Sequence, residues 1–249
     1  MANLGIVRSI TQVGTYEPFE LQVARGQITG HEVVNVFGFA SAVSTAFVAV
    51  WENNAAYVFP TVASTMNVSS SSASDTGVSV QIFGLDADYN RITEVVALNG
   101  TNNIATTKVY WRINNVITTV GAAVGTMYVK NAGGTTYAQI AIGNGKTNMS
   151  VFTVPAGYTA YMTQFDGFSS TSVTSGVFAT IRALITSSTG ISNVVIAAPF
   201  LNTFAVTRPY PNVLAEKVDF QLQCKSSGAG LGIGVLGIGV LVKNFITGS

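Results

Sequence analysis

The chain has 249 residues, 9% of them charged and 48% hydrophobic, with a formal net charge of +1. That balance excludes a basic footprint for nucleic acid and an acidic tail, and it leaves little repulsion between copies of the chain. The length suits one large β domain or two smaller ones, and the apolar, weakly charged composition predicts a subunit covered by neighbours.

The first stretch, MANLGIVRSITQVGTYEPFELQ, lacks the apolar core of a secretory signal, so folding in a cytosol is expected. His31, the single histidine, has no motif around it and reads as a turn or arm residue. Next, VVNVFGFASAVSTAFVAVWENN crowds Phe37, Phe39, Phe47 and Trp51 among small residues. Strands of the main fold and an extended arm laid on a neighbouring subunit both fit this stretch. The preferred reading is an arm or small subdomain over residues 1–55.

From residue 56 onward, strand-like runs broken by turns recur about every ten residues. They cover 77–86, 91–100, 108–119, 125–131, 136–145, 158–169, 176–186 and 216–227. This rhythm predicts an all-β fold, an antiparallel β-sandwich of jelly-roll-like form over 56–249, with little helix. In GVSVQIF, Val78, Val80 and Ile82 share one face while Ser79 and Gln81 take the other. In KVDFQLQ, Val218, Phe220 and Leu222 alternate with Asp219, Gln221 and Gln223. Each pattern predicts one core face and one wet face. The Gly-, Asn-, Asp- and Pro-bearing linkers DADYN, NAGGT, GNGKT and PAGY supply the reversals.

Chemistry-bearing motifs are weak. DADYN places Asp86, Asp88 and Asn90 like the first ligands of a calcium loop. Arg91 then stands where that loop needs glycine, and Ala97 where it needs a bidentate Glu, so a hairpin turn is the better account. The carboxylates are scattered, without a paired acid and base, and no nucleophile motif accompanies His31. Cys224 is alone and reads as a buried, inert thiol. Tyr110, Trp111, Tyr158 and Tyr161 read as core aromatics, with a sugar-binding platform as the alternative. Catalytic, cofactor and metal sites are therefore not expected.

The run SSGAGLGIGVLGIGVLVKNF offers three readings. Gly232, Gly234 and Gly237 match a dinucleotide loop, but no βαβ context or later acidic residue supports one. The uncharged run approaches the length of a membrane span, yet its alternation has period two, which means strand. Leu231, Ile233 and Val235 alternate with glycine, and the phase changes at Val235–Leu236, which predicts a bulge or bend. Gly232, Gly234, Gly237 and Gly239 would let another backbone or subunit approach closely. They join Phe37, Phe39, Phe47 and Trp51 as candidate subunit contacts.

The stretch SASDTGVSVQIFGLDADYNRITEVVALNGT (72–101), with YWRINNV (110–116) and VFTVPAGYTAYMTQ (151–164), resembles virion structural proteins of tailed bacteriophages. The shared features are Gly84-Leu85-Asp86, Ile92-Thr93-Glu94, Leu98-Asn99-Gly100-Thr101 and Val154 to Tyr161. The resemblance implies a non-enzymatic virion component made in the host bacterial cytoplasm. Such a component would be a self-associating, trimeric decoration or cement protein on the major capsid protein, or a fibre base. A tail or neck component and a receptor- or glycan-binding module are the alternatives. Neither nucleic acid nor membrane is an expected partner.

Overall fold

Branched and aromatic residues alternating with polar ones make strands, and Gly and Asn at the reversals fold them back. The computed structural model describes residues 17–170, 177–228 and 230–244. Along these the chain forms α1 (Phe19–Ala24), β1 (His31–Val43), β2 (Val48–Ala49), β3 (Ser64–Ser70), β4 (Ser79–Leu85) and β5 (Arg91–Ala97). There follow β6 (Ile104–Tyr110), β7 (Arg112–Val120), β8 (Met127–Lys130), β9 (Thr136–Ile140), β10 (Val151–Thr153) and β11 (Tyr158–Ser169). The last five are β12 (Ala179–Thr186), β13 (Ser192–Phe200), β14 (Thr203–Leu214), β15 (Asp219–Ser226) and β16 (Leu231–Lys243).

The strands build two sandwiches, one inserted in the other. Sheet A has the order β1-β16-β11-β14, and sheet B the order β10-β15-β12-β13 with β2 also on β15. β2 meets β15 at Cys224 and Gln223, and β10 continues along the same edge at Gln221 to Asp219. The two are halves of one strand position, joined by the Val50 and Ser150 backbone bonds to Leu222. Counted so, the eight positions in chain order are arranged first-eighth-third-sixth and second-seventh-fourth-fifth. This is the double Greek key of a jelly roll, so the all-β, jelly-roll-like expectation holds.

Between β2 and β10 lies the second sandwich, with sheets β6-β3-β8-β9 and β5-β4-β7. Its core includes Met66, Val68, Val80, Ile82, Tyr110, Ile113 and Ile140. The jelly roll has its own core, to which Val34, Val36, Ala40, Val43 and Val50 contribute beside Phe165, Ile181 and Phe220. Residues 31–50 are thus strands of the main fold rather than the preferred arm or small subdomain, and packing divides around the insert rather than at residue 55. Residues 1–16 lie outside the described residues.

Two local expectations change. The polar face of KVDFQLQ is not wet: Asp219, Gln221 and Gln223 are all buried. Asp219 receives the Arg112 guanidinium of the inserted sandwich through two bonds of 2.9 Å, Nε to Oδ1 and the second terminal nitrogen to Oδ2. The other terminal nitrogen of Arg112 donates to the Pro60 and Trp111 carbonyls, and Thr153 Oγ1 donates to Asp219 at 2.6 Å. Secondly, β16 passes Val235–Leu236 without a bulge. Irregularities fall instead opposite it, at Ala40/Val43 of β1 and at Met162/Gln164 of β11. The phase change reflects which face the glycines occupy: first the outer face, then the inner.

Breaking the Arg112–Asp219 pair strands a buried charge. Arg112→Met is expected to lower unfolding stability by about 3–5 kcal/mol, and Arg112→Met with Asp219→Leu to recover most of that loss. Urea unfolding of the single and double variants checks it, and equal losses in both would contradict the role given to the pair.

Candidate functional site

Period two divides sheet A into an inner and an outer face. Facing the core of the jelly roll are Val34, Val36 and Ala40 of β1, Ile233, Val235 and Leu241 of β16, and Met162 and Phe165 of β11. On the outer face the registers align five rows across the sheet. These are Phe39–Gly234–Phe168–Thr203, Phe37–Leu236–Asp166–Ala205, Asn35–Ile238–Gln164–Thr207, Val33–Val240–Tyr161–Val213 and His31–Val242–Thr159. No lysine or arginine stands in them.

Around β16 this face is mostly apolar, with a polar row at Asn35, Gln164 and Thr207, and no described element lies over it. Val33, Phe168 and Val213 are 49%, 40% and 58% exposed, and Phe37, Phe39, Leu236, Ile238, Val240 and Val242 are half-buried. The one carboxylate, Asp166, takes a bond of 2.6 Å from Gln164 on Oδ2, while its buried Oδ1 has no partner among the described residues. A contiguous apolar patch of this kind marks an interaction surface rather than ordinary solvent-facing sheet.

Of the eight predicted contact residues, the fold brings Phe37, Phe39, Gly232 and Gly234 to this face and sends the others elsewhere. A Cβ on Gly232 would meet Ser170 Oγ, and one on Gly234 would meet the Phe168 ring, so the glycines seat side chains of the same chain. Gly237 and Gly239 point inward, beneath Met162, Leu222 and Phe220. Trp51 is buried with Tyr57 and Met149 and donates from Nε1 to the Ala55 carbonyl. Phe47 lies on the outer face of sheet B, under the Arg182 guanidinium at 4.0 Å and Lys225 at 4.9 Å. Sequence reasoning missed Phe168, Val213 and Leu236, Ile238, Val240 and Val242, because it assigned the contacts of this strand to its glycines.

The remaining candidates are occupied structurally. Asp86 Oδ1 accepts the backbone N–H groups of Asp88 and Asn90, which shapes the β4–β5 turn. Tyr158 lies beneath the Arg91 guanidinium at 4.1 Å, and Trp111 donates to the Tyr89 hydroxyl. Among the described residues, no group of three His, Cys, Asp or Glu side chains is placed to hold a metal, and no helix is long and apolar enough to cross a membrane. Cys224 is fully buried, and desolvation pushes its thiol up to about 12 despite hydrogen bonds that act the other way.

The fold therefore defines an eight-position jelly roll carrying an inserted β-sandwich, with a mostly apolar outer face on sheet A over which no described element lies. No family model matches the chain, and no curated protein matches it. Among solved structures it is weakly similar to a point-mutant VP2 protein of infectious bursal disease virus in derived T=1 particles. That alignment has 13% identity over 88% of this chain and 75% of that one, with a TM-score of 0.20. The VP2 subviral particle of the same virus aligns at 10% identity over 87% and 77%, with a TM-score of 0.19. Likeness at this level establishes neither family nor role.

The two kinds of glycine site predict different sensitivities. A Cβ on Gly239 would lie 2.4 Å from the Tyr161 carbonyl oxygen, whereas one on Gly234 meets only the far end of the Phe168 side chain. Gly239→Ala should lower stability by about 1–3 kcal/mol through backbone displacement, and Gly234→Ala by less, as the ring swings aside. Thermal unfolding of both distinguishes them. With its thiol pushed to about 12, Cys224 should react with a disulfide reagent at pH 8 roughly 10³-fold more slowly in native than in unfolded protein.

Proposed function

We propose that the chain is a non-enzymatic structural subunit of a virus particle, which assembles by packing the outer face of sheet A against other subunits. The observation that carries this reading is the band of apolar side chains on the outer face of sheet A, Phe37, Phe39, Phe168 and Val213 beside Leu236, Ile238 and Val240, in rows free of lysine and arginine and with no described element laid over them. A second copy, or a capsid subunit of similar character, would bury the rows and remove apolar surface from water. Jelly rolls build viral capsid subunits, and also lectins and cupins, so the topology agrees with this role without selecting it.

In finer detail, the reading is a decoration or cement protein on the head of a tailed bacteriophage, as a trimer seated on the major capsid protein. What supports it is the resemblance carried by Gly84-Leu85-Asp86 and Ile92-Thr93-Glu94 at the ends of β4 and β5, and by Val154 to Tyr161 leading into β11. These motifs occur in both sandwiches, so the resemblance spans the composite architecture. A net charge near zero agrees with subunits that pack side by side.

Light scattering on purified protein tests the surface. The unsubstituted chain should form a closed oligomer. Phe168→Glu with Val213→Glu should yield monomers whose unfolding midpoint stays within a few degrees of the parent. Val124→Glu and Ile142→Glu, at sites 60% and 64% exposed on and beside the inserted sandwich, should leave the oligomer intact. A parent chain that stays monomeric at high concentration and ignores particles lacking it would overturn the reading.

A further inference from the structure

A cleft of about 500 Å³ separates β1 from the inserted sandwich. Phe83, Ile92, Met149, Val151 and Phe152 wall it, and every residue of β1 from Glu32 to Phe37 lines it. Six consecutive residues of one strand line a cavity when the strand presents its backbone edge to it. Two hydrogen bonds fix which backbone groups point there. The Gly30 carbonyl accepts from the Lys243 N–H at the end of β16, and the Phe39 N–H donates to the Asn148 carbonyl on the opposite side, at 3.4 Å. Even-numbered residues of β1 therefore bond β16, and the N–H and carbonyl groups of Val33, Asn35 and Phe37 turn towards the cleft. Among the described residues, nothing bonds these six groups.

The two ends of this edge differ in charge. At the Glu32 end, one terminal nitrogen of Arg91 donates to both Glu32 carboxylate oxygens at 2.9 Å, so that end is neutralised. At the Phe37 end, close to Asn148, stands the exposed Lys146, whose amine has neither an ion pair nor a hydrogen bond among the described residues. The edge offers about 20 Å of alternating donors and acceptors, the span of roughly six extended residues. A small apolar ligand would leave these groups desolvated and unpaired, whereas an extended backbone pairs them. The edge of a second folded sheet would bring its neighbouring strands with it, more than a cleft of ligand size admits.

We propose that this cleft is a strand-addition site for an extended segment of another polypeptide, bound antiparallel to β1, with branched apolar side chains at alternate positions and a carboxylate beside Lys146. Every pairing in sheet A is antiparallel, so the carboxylate falls at the N-terminal end of the segment. Backbone pairing supplies affinity, the walls select the alternate side chains, and Lys146 fixes the direction. The site is separate from the outer face of sheet A, and either reading can fail without the other.

The probe is an acetylated, amidated octapeptide, Asp followed by alternating Val and Thr, titrated into the full chain and followed by calorimetry and amide hydrogen exchange. Bound peptide should slow exchange at Val33, Asn35 and Phe37 about tenfold or more and leave Val34 and Val36, already bonded to β16, unchanged. Of two versions N-methylated on alternate sets of amides, one should bind at least about tenfold more weakly than the other, because only one set faces β1. Asn35→Pro removes an edge donor without touching the β16 ladder, so it should abolish binding while the unfolding midpoint stays close to the parent's. Replacing the peptide's Asp by Lys should weaken binding about threefold, and Lys146→Glu should invert that preference. Failure of the Asp peptide to bind at millimolar concentration, or binding without protection of the odd-numbered amides, overturns the proposal. So does protection of those amides in the full chain before any peptide is added, since the edge would then be held by this chain or a second copy.

Discussion

The bidentate pair between Arg112 and Asp219 is the constraint on which the relation of the two sandwiches depends. Arg112 opens β7 of the insert, and Asp219 opens β15 in sheet B of the jelly roll. A charge pair at 8% and 9% side-chain exposure is tolerable only when its hydrogen-bonding capacity is met. Here it is met by the Pro60 and Trp111 carbonyls and the Thr153 hydroxyl, groups that come from both sides of the insertion. Asn114 adds a reciprocal amide exchange with the Thr153 backbone. A shift of the insert would leave several of these groups buried and unpaired at once, so the pair specifies position even where its net stabilisation is small. The cleft beside β1 follows from that fixed position.

The C-terminal strand solves a different problem. β16 lies between β1 and β11, so both its edges are paired and its side chains meet neighbours on both faces. Where the inner face is crowded by Met162, Phe220 and Leu222, the residues beneath are Gly237 and Gly239. Where the outer face carries Phe168 and Ser170, they are Gly234 and Gly232. Elsewhere along the strand, branched residues fill both faces. The outer face therefore stays apolar from Leu236 to Val242, with nothing from the described chain laid over it.

The hairpins could be read in the sequence because their signals are local. The predicted 91–100 and 158–169 runs match β5 and β11 closely, since alternation and turn residues adjoin each other there. The predicted strand 108–119 is instead β6 and β7, broken at Trp111, whose N–H leaves the ladder to bond the Leu85 carbonyl. β3, β13 and β14 gave no clear pattern: β3 is rich in Ser and Thr, while β13 and β14 are sheet-edge strands where Pro199, Pro209 and Pro211 are tolerated. The interrupted strand β2/β10 could not be read at all, because its halves are about a hundred residues apart and meet, beside β15, only in the folded chain. The buried polar face of β15 was misread for the same reason: its cover comes from distant sequence. Of the candidate contacts, Phe37 and Phe39 reached the open face by simple alternation. Trp51, Gly237 and Gly239 were apolar or small for internal reasons that composition does not separate from contact.

Sheet edges explain why assembly would proceed by faces. An exposed edge invites pairing with another copy, and folded β proteins block that route with proline, short strands or cover. Sheet B ends at β13, which carries Pro199, and sheet A ends at β14, which carries Pro209 and Pro211. The other end of sheet A, β1, opens into the cleft rather than onto the surface. At its far end sheet B presents β10 and β2, and there Asn114 and Ser150 already occupy backbone groups. Ladder extension between copies is thus hindered at the β13 and β14 edges and set back in a cleft at β1, while no described element lies over the outer face of sheet A. The burial of side chains, rather than backbone pairing, is the interaction this architecture leaves available to a neighbouring copy.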